Sequence, residues 1–218
     1  TFCIANFSAN PANFRIIVEE GCLGYLIKHL ASEDAQLQLR AVAALRGLSC
    51  DEELRGEMVR RGALPPLLHL AKSEDVEVQM EVLAALCNLS LCGCIGDNPL
   101  SFLRALDVSN LVSFLCSADT TYRLFGAVAL GNIASDSELQ DPVVEGGALN
   151  PLIAVANAAD LETQRAIAYA LCNLAADEER RPAILQQGGL PPLISLACSD
   201  DSEDQRTALA TLRALSAD

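Results

Sequence analysis

The residues that come nearest to doing chemistry by type and spacing are thiols: Cys87, Cys92 and Cys94 fall in one short stretch. A zinc site needs four nitrogen or sulfur donors in tetrahedral array, and the two histidines, His29 and His69, lie far from that stretch. The nine cysteines are odd in number and sit in apolar surroundings without framework spacing, which reads as reduced thiols of an intracellular protein. No metal or other cofactor is expected. The sequence also carries no Ser/His/Asp order, His-Glu-x-x-His run or phosphate-binding glycine loop, so no catalytic residue is assigned and a non-enzymatic protein is expected.

A second group is periodic rather than clustered. Asn88, Asn132 and Asn173 stand in Leu86-Cys87-Asn88-Leu89-Ser90, Leu130-Gly131-Asn132-Ile133-Ala134 and Leu171-Cys172-Asn173-Leu174-Ala175. The same frame begins at Ile4 around Asn6, and holds Gly47 and Ala214 in place of Asn in its other copies; successive copies are 41, 41, 44, 41 and 41 residues apart. An Asn amide offers a donor and an acceptor suited to the main chain of an extended peptide. The same amide can instead cap or bond the backbone of a neighbouring repeat, and on the sequence both readings stand.

The elements that must hold these residues repeat on the same beat. A glycine followed by an apolar run recurs at Gly21, Gly62, Gly147 and Gly188, with a glycine-less copy at Leu106-Asp107-Val108, and the 44-residue step places an insertion in the loop from Leu91 to Asn98. Each unit reads as three helices. The first is short and entered through pairs such as Asn10-Pro11, Asn98-Pro99 and Asp141-Pro142. The second starts after the glycine, which can take a left-handed conformation. The third is long, roughly Val76 to Ser90 in the second unit, and follows acidic turns such as Ser73-Glu74-Asp75 that suit a helix N-terminus. At 100° per residue, Val78, Val82, Ala85, Leu86 and Leu89 form a core stripe, while Glu77, Glu81, Ala84 and Asn88 fall outside it.

The glycine corner Gly188-Gly189-Leu190-Pro191-Pro192-Leu193-Ile194 and the third-helix run Gln164-Arg165-Ala166-Ile167-Ala168-Tyr169-Ala170-Leu171-Cys172-Asn173-Leu174 resemble the armadillo repeat family. HEAT repeats have a similar period but two helices, and fit the glycine corner and terminal Asn less well. The resemblance covers nearly the whole chain and implies an all-α, right-handed superhelical solenoid. Its units are expected at 10–50, 51–91, 92–135, 136–176 and 177–218, with 1–9 closing a preceding repeat in a single array cut from a longer protein.

The resemblance also implies that the third helices line a concave groove and that Asn6, Asn88, Asn132 and Asn173 contact a bound peptide. Three such rungs span roughly 20 Å, or about six extended residues. Around them, Phe125, Val128 and Tyr169 are expected to form an apolar floor, with Arg40 and Glu81 on the same ladder and Arg123, Arg165 and Arg206 near its edge. The chain has no Trp, and Phe2, Ala43, Ala84, Val128, Tyr169 and Ala210 stand where importin-α-type members place one. Catenin-like or vacuolar-scaffold-like members are the better likeness.

A formal net charge of −14 argues against nucleic acid or anionic lipid as partner, and the longest uncharged stretch, from Val82 to Gly96, is too short to span a membrane. The expectation is a cytoplasmic scaffold, a nuclear location remaining open, that binds a mixed apolar and basic segment or helix. The alternative is the substrate-recognition region of a U-box-type ubiquitin ligase. Homotypic assembly through the open N-terminal repeat is a further reading.

Overall fold

An aspartate opens each of the long helices, and the helices follow from it. Asp34, Asp75, Asp119, Asp160 and Asp201 hold extended backbone, and their carboxylates accept from Gln36 N (2.9 Å), Glu77 N (2.9 Å), Thr121 N (2.8 Å), Thr163 N (3.0 Å) and Glu203 N (2.8 Å). Each cap satisfies an N–H that the helix itself cannot, and is worth about 1 kcal/mol.

The computed structural model describes residues 10–91, 103, 106–157 and 159–216. The chain divides into two compact units, 1–106 and 107–218. In the first unit a 3₁₀ turn at Pro11–Asn13 leads into α1 (Phe14–Glu19), α2 (Cys22–His29) and α3 (Ala35–Leu48), followed by α4 (Glu52–Arg60), α5 (Leu64–Leu70) and α6 (Val76–Leu89). In the second unit α7 (Val108–Leu115) and α8 (Thr120–Ala134) precede α9 (Ser137–Glu145), α10 (Leu149–Ala156) and α11 (Leu161–Leu174). A 3₁₀ turn at Glu178–Arg180 then opens α12 (Arg181–Gln186), α13 (Leu190–Ala197) and α14 (Ser202–Leu215). No strand occurs among the described residues. The leading segment with Phe2 and Asn6, the Asn98-Pro99 pair and the loop holding Cys92 and Cys94 lie outside them.

Within each unit the third helices stack directly: α3 on α6, and α8 on α11 on α14. The predicted stripe is the core, since Val78, Val82, Ala85, Leu86 and Leu89 are at most 1% exposed. A fully buried aliphatic side chain of this size contributes about 2 kcal/mol. Small residues permit close approach, and at Gly126 an added Cβ would fall 2.5 Å from the backbone nitrogen of Leu115 on α7.

The glutamine of the third-helix motif ties that helix to the end of the second. Gln38 Nε2 donates to Leu30 O (2.8 Å), Gln79 to Ser73 O (3.0 Å), Gln164 to Ala156 O (3.2 Å) and Gln205 to Ser199 O (2.7 Å). Arg123 replaces it on α8, its Nη1 reaching Ser117 O at 3.2 Å.

Gly62 and Gly147 turn their corners at φ 81° and 82°, as expected of glycine. In the copy with Leu106 at that register, Asp107 takes the positive φ (59°) one residue later, and its carboxylate accepts from Ser109 N at 3.0 Å. One expected helix start moves. Asp141-Pro142 does not open α9; Asp136 caps it through Glu138 N (2.9 Å), and Pro142 lies inside the helix.

Candidate functional site

In the first unit the exposed faces of α3 and α6 enclose a groove of about 580 Å³ lined by Gln36, Leu39, Arg40, Ala43, Val76, Glu77, Met80 and Glu81. Five of these, Gln36, Arg40, Ala43, Glu77 and Glu81, share the ladder register of Arg40 and Glu81 across the two helices, brought together because they fall outside the core stripe. Val76 and Met80, which the ladder did not include, are the most accessible apolar groups there, at 66% and 49% exposure. Glu81 is not a free carboxylate: Arg46 on α3 donates to it across the repeat boundary.

The second unit carries a smaller cleft, about 280 Å³, between α11 and α14, lined by Arg165, Tyr169, Leu196, Asp201, Glu203, Asp204 and Thr207. Tyr169 is 43% exposed. Its ring lies over Gly131 of α8, where a Cβ would come within 3.0 Å of Tyr169 Cδ1, so glycine there makes the bed for the ring. Beneath the cleft mouth Asp204 is only 5% exposed. Arg165 Nε lies 2.6 Å from Asp204 Oδ1 and Arg165 Nη2 3.6 Å from Asp201 Oδ2, and Ser199 Oγ donates to Asp204 Oδ2 at 3.1 Å. The Asp204 carboxylate raises the Arg165 guanidinium above its ordinary value. Asp201 is held below the usual carboxylate range by the backbone N–H groups of Glu203 and Asp204, and Asp160 by that of Thr163.

The asparagines sit where the sequence places them, half-buried on α6, α8 and α11. Asn88 Nδ2 donates to Ser49 Oγ at 2.9 Å, with Cys50 Sγ at 3.6 Å, and Asn173 Nδ2 donates to Gly131 O at 3.0 Å. Each therefore bonds the C-terminal turn of the preceding third helix, leaving its Oδ1 without a donor among the described residues. Asn132 is also engaged. Of the expected apolar floor, Tyr169 is exposed and Val128 half-buried, but Phe125 is a core residue. It is 2% exposed, with its ring edge-on to Phe114 of α7 at 5.3 Å between centroids.

Among the described residues no group of His, Cys, Asp or Glu side chains is arranged to hold a metal ion, and no helix is long and apolar enough to cross a membrane. Burial pushes the Cys87 thiol up to about 12, which favours its protonated form at neutral pH.

Three-helix units turned on glycine corners, with third helices tied to the second, define an all-α repeat protein. The profile of the armadillo/beta-catenin-like repeat matches residues 51–91 and 177–217. A designed armadillo repeat protein superposes with a TM-score of 0.86 at 27% identity, over 98% of this chain and 91% of its own. An engineered protein gives 0.83 at 30% identity over 99% and 88%, and a designed armadillo repeat protein solved with the peptide (KR)4 gives 0.84 at 26% over 97% and 90%. No curated protein matches the sequence. The chain belongs to the armadillo repeat family.

Proposed function

We propose that this chain is a non-enzymatic scaffold that binds a segment of a partner protein along the exposed faces of its third helices. The observation that carries this is the pairing, in each unit, of a cavity between adjacent third helices with accessible apolar side chains and carboxylates at its walls. Val76 and Met80 beside Glu77, and Tyr169 beside Glu203, suit a segment that alternates apolar and basic side chains. The acidic balance of the chain favours the same partner. The designed armadillo repeat protein solved with the basic peptide (KR)4 supports a peptide ligand that carries basic side chains. In this reading Arg40 and Glu81 flank the groove of the first unit, Val128 borders the bed of Tyr169, and Asn88, Asn132 and Asn173 fix the helices while Oδ1 of Asn88 and Asn173 accepts from a bound main chain.

The test is a fluorescence-anisotropy titration with peptides of alternating Leu and Arg. Binding is expected to weaken about tenfold, near 1.4 kcal/mol, in Met80→Glu and again in Tyr169→Ala. Equal affinity in both variants, with unchanged melting temperatures, would refute the assignment.

A further inference from the structure

The groove between α3 and α6 offers aliphatic surface but little for a ligand main chain to bond. Both walls are helices, whose backbone groups are spent on their own turns, and Leu39, Ala43, Val76 and Met80 line the space between them. Of the polar lining, Glu81 is bonded to Arg46, and Arg40 is engaged as well. The asparagine ladder lies out of reach. Asn88 follows Glu81 by seven residues, about 10 Å further along α6. Its Nδ2 is bonded to Ser49, and α3 carries Gly47 at that register. An extended segment in the groove would turn unpaired N–H and C=O groups against aliphatic carbon, whereas a helix brings a backbone already paired.

The groove has the dimensions of a helix seat. Gln36 to Ala43 covers about 10 Å of α3, two turns, which anchors at i, i+4 and i+7 of a ligand helix match. α3 and α6 stack directly, and helices in contact lie about 8–10 Å apart, a spacing at which a third helix can set one ridge of side chains between them. Charge distinguishes the ends. Glu33 and Glu74 precede the caps of α3 and α6, and Glu77 stands in the first turn of α6. All three are exposed, and none has an ion-pair partner among the described residues. The second unit does not repeat this seat: Arg165 has the register of Met80 and reaches Asp204, and Phe125 has the register of Arg40 and is buried.

Resting on the groove reading proposed above, we infer that the ligand of α3 and α6 is an amphipathic helix of a partner protein that runs antiparallel to them. Its apolar anchors seat against Leu39, Val76 and Met80, and Lys or Arg in its last turn faces Glu33, Glu74 and Glu77. Basic residues in that turn also complement the dipole of the ligand helix itself.

The probe is a capped synthetic peptide of Leu, Ala and Arg, with Leu at i, i+4 and i+7 and Arg in its last turn, titrated against the whole chain by fluorescence anisotropy. Its isomer is the same set of residues reordered so that Leu and Arg alternate. The helical-period peptide is expected to bind at least tenfold more tightly than the isomer, and ¹³C shifts of the labelled bound peptide should be helical. Met80→Glu and Leu39→Glu should each weaken it about tenfold, and Tyr169→Ala should leave it unchanged. Glu33→Lys/Glu74→Lys, both outside the helices, should weaken it about tenfold at an unchanged melting temperature. A peptide ending in Glu instead of Arg should restore binding to that variant. Extended shifts in the bound peptide, or an isomer that binds as tightly in a Met80-dependent way, would overturn the helical ligand and leave the groove reading standing. Binding of neither peptide, or binding indifferent to both Met80→Glu and Leu39→Glu, would overturn the two together.

Discussion

The α3/α6 groove and the α11/α14 cleft are built on one register and differ in where their cross-repeat ion pair lies. In the first, Arg46 and Glu81 meet at the rim with side chains 45% and 29% exposed, and Val76 and Met80 are left to make an apolar wall. In the second, Arg165 reaches inward to Asp204, so the charge pair forms the floor and Tyr169 the wall. A pair at the rim is screened and contributes little; a carboxylate sealed beneath a cleft is structural. One repeat frame can thus hold a groove whose apolar wall selects the ligand and a cleft whose carboxylate also holds two helices together.

The largest effect should come from that buried carboxylate. Asp204→Ala strips Arg165 and Ser199 of their shared partner, and chemical denaturation should register a loss of about 2 kcal/mol. Glu81→Gln should cost less than about 1 kcal/mol in the same assay, because the Arg46 pair is open to water. Equal losses would erase the distinction between the two regions. Gly131→Ala should disturb only the second: the added methyl displaces the Tyr169 ring, and Tyr169 fluorescence and cleft binding should change while the first groove is unaffected.

The smallest effect is on acid stability. Asp160 and Asp201 titrate below their unfolded value of about 3.9, so the stability they add is complete above that pH and is lost as pH falls through their folded values. The melting temperature should therefore be level with respect to these groups above about pH 5 and fall below about pH 4, with a shallower fall in Asp160→Asn.

Much of this architecture is legible in the sequence, because a helical repeat writes its period into local chemistry. The glycine corners, the aspartate caps of the third helices and the core stripe of α6 depend on neighbours a few residues away and fall where the pattern places them, whereas the Asp141-Pro142 pair does not open α9. The grooves were legible only in part. The Arg46–Glu81 and Arg165–Asp204 pairs join side chains roughly one repeat apart, so they emerge only when the period is used to lay one third helix beside the next. Phe125 shares a register with Arg40 and Glu81, yet its ring turns to Phe114 because an aromatic gains more from burial than from a polar groove. For the asparagines the sequence leaves two readings open, and the bonds of Asn88 and Asn173 to the preceding third helix emerge only from three-dimensional stacking.

The chain contains two methionines, and they report on the central claim directly: Met80 is 49% exposed in the groove of the first unit and Met58 is fully buried. With ¹³C-methyl-labelled methionine, titration of an alternating Leu and Arg peptide should shift the Met80 resonance along a saturating curve and leave Met58 in place. A peptide that binds by anisotropy while the Met80 resonance stays fixed would show that the third-helix groove is not its binding surface.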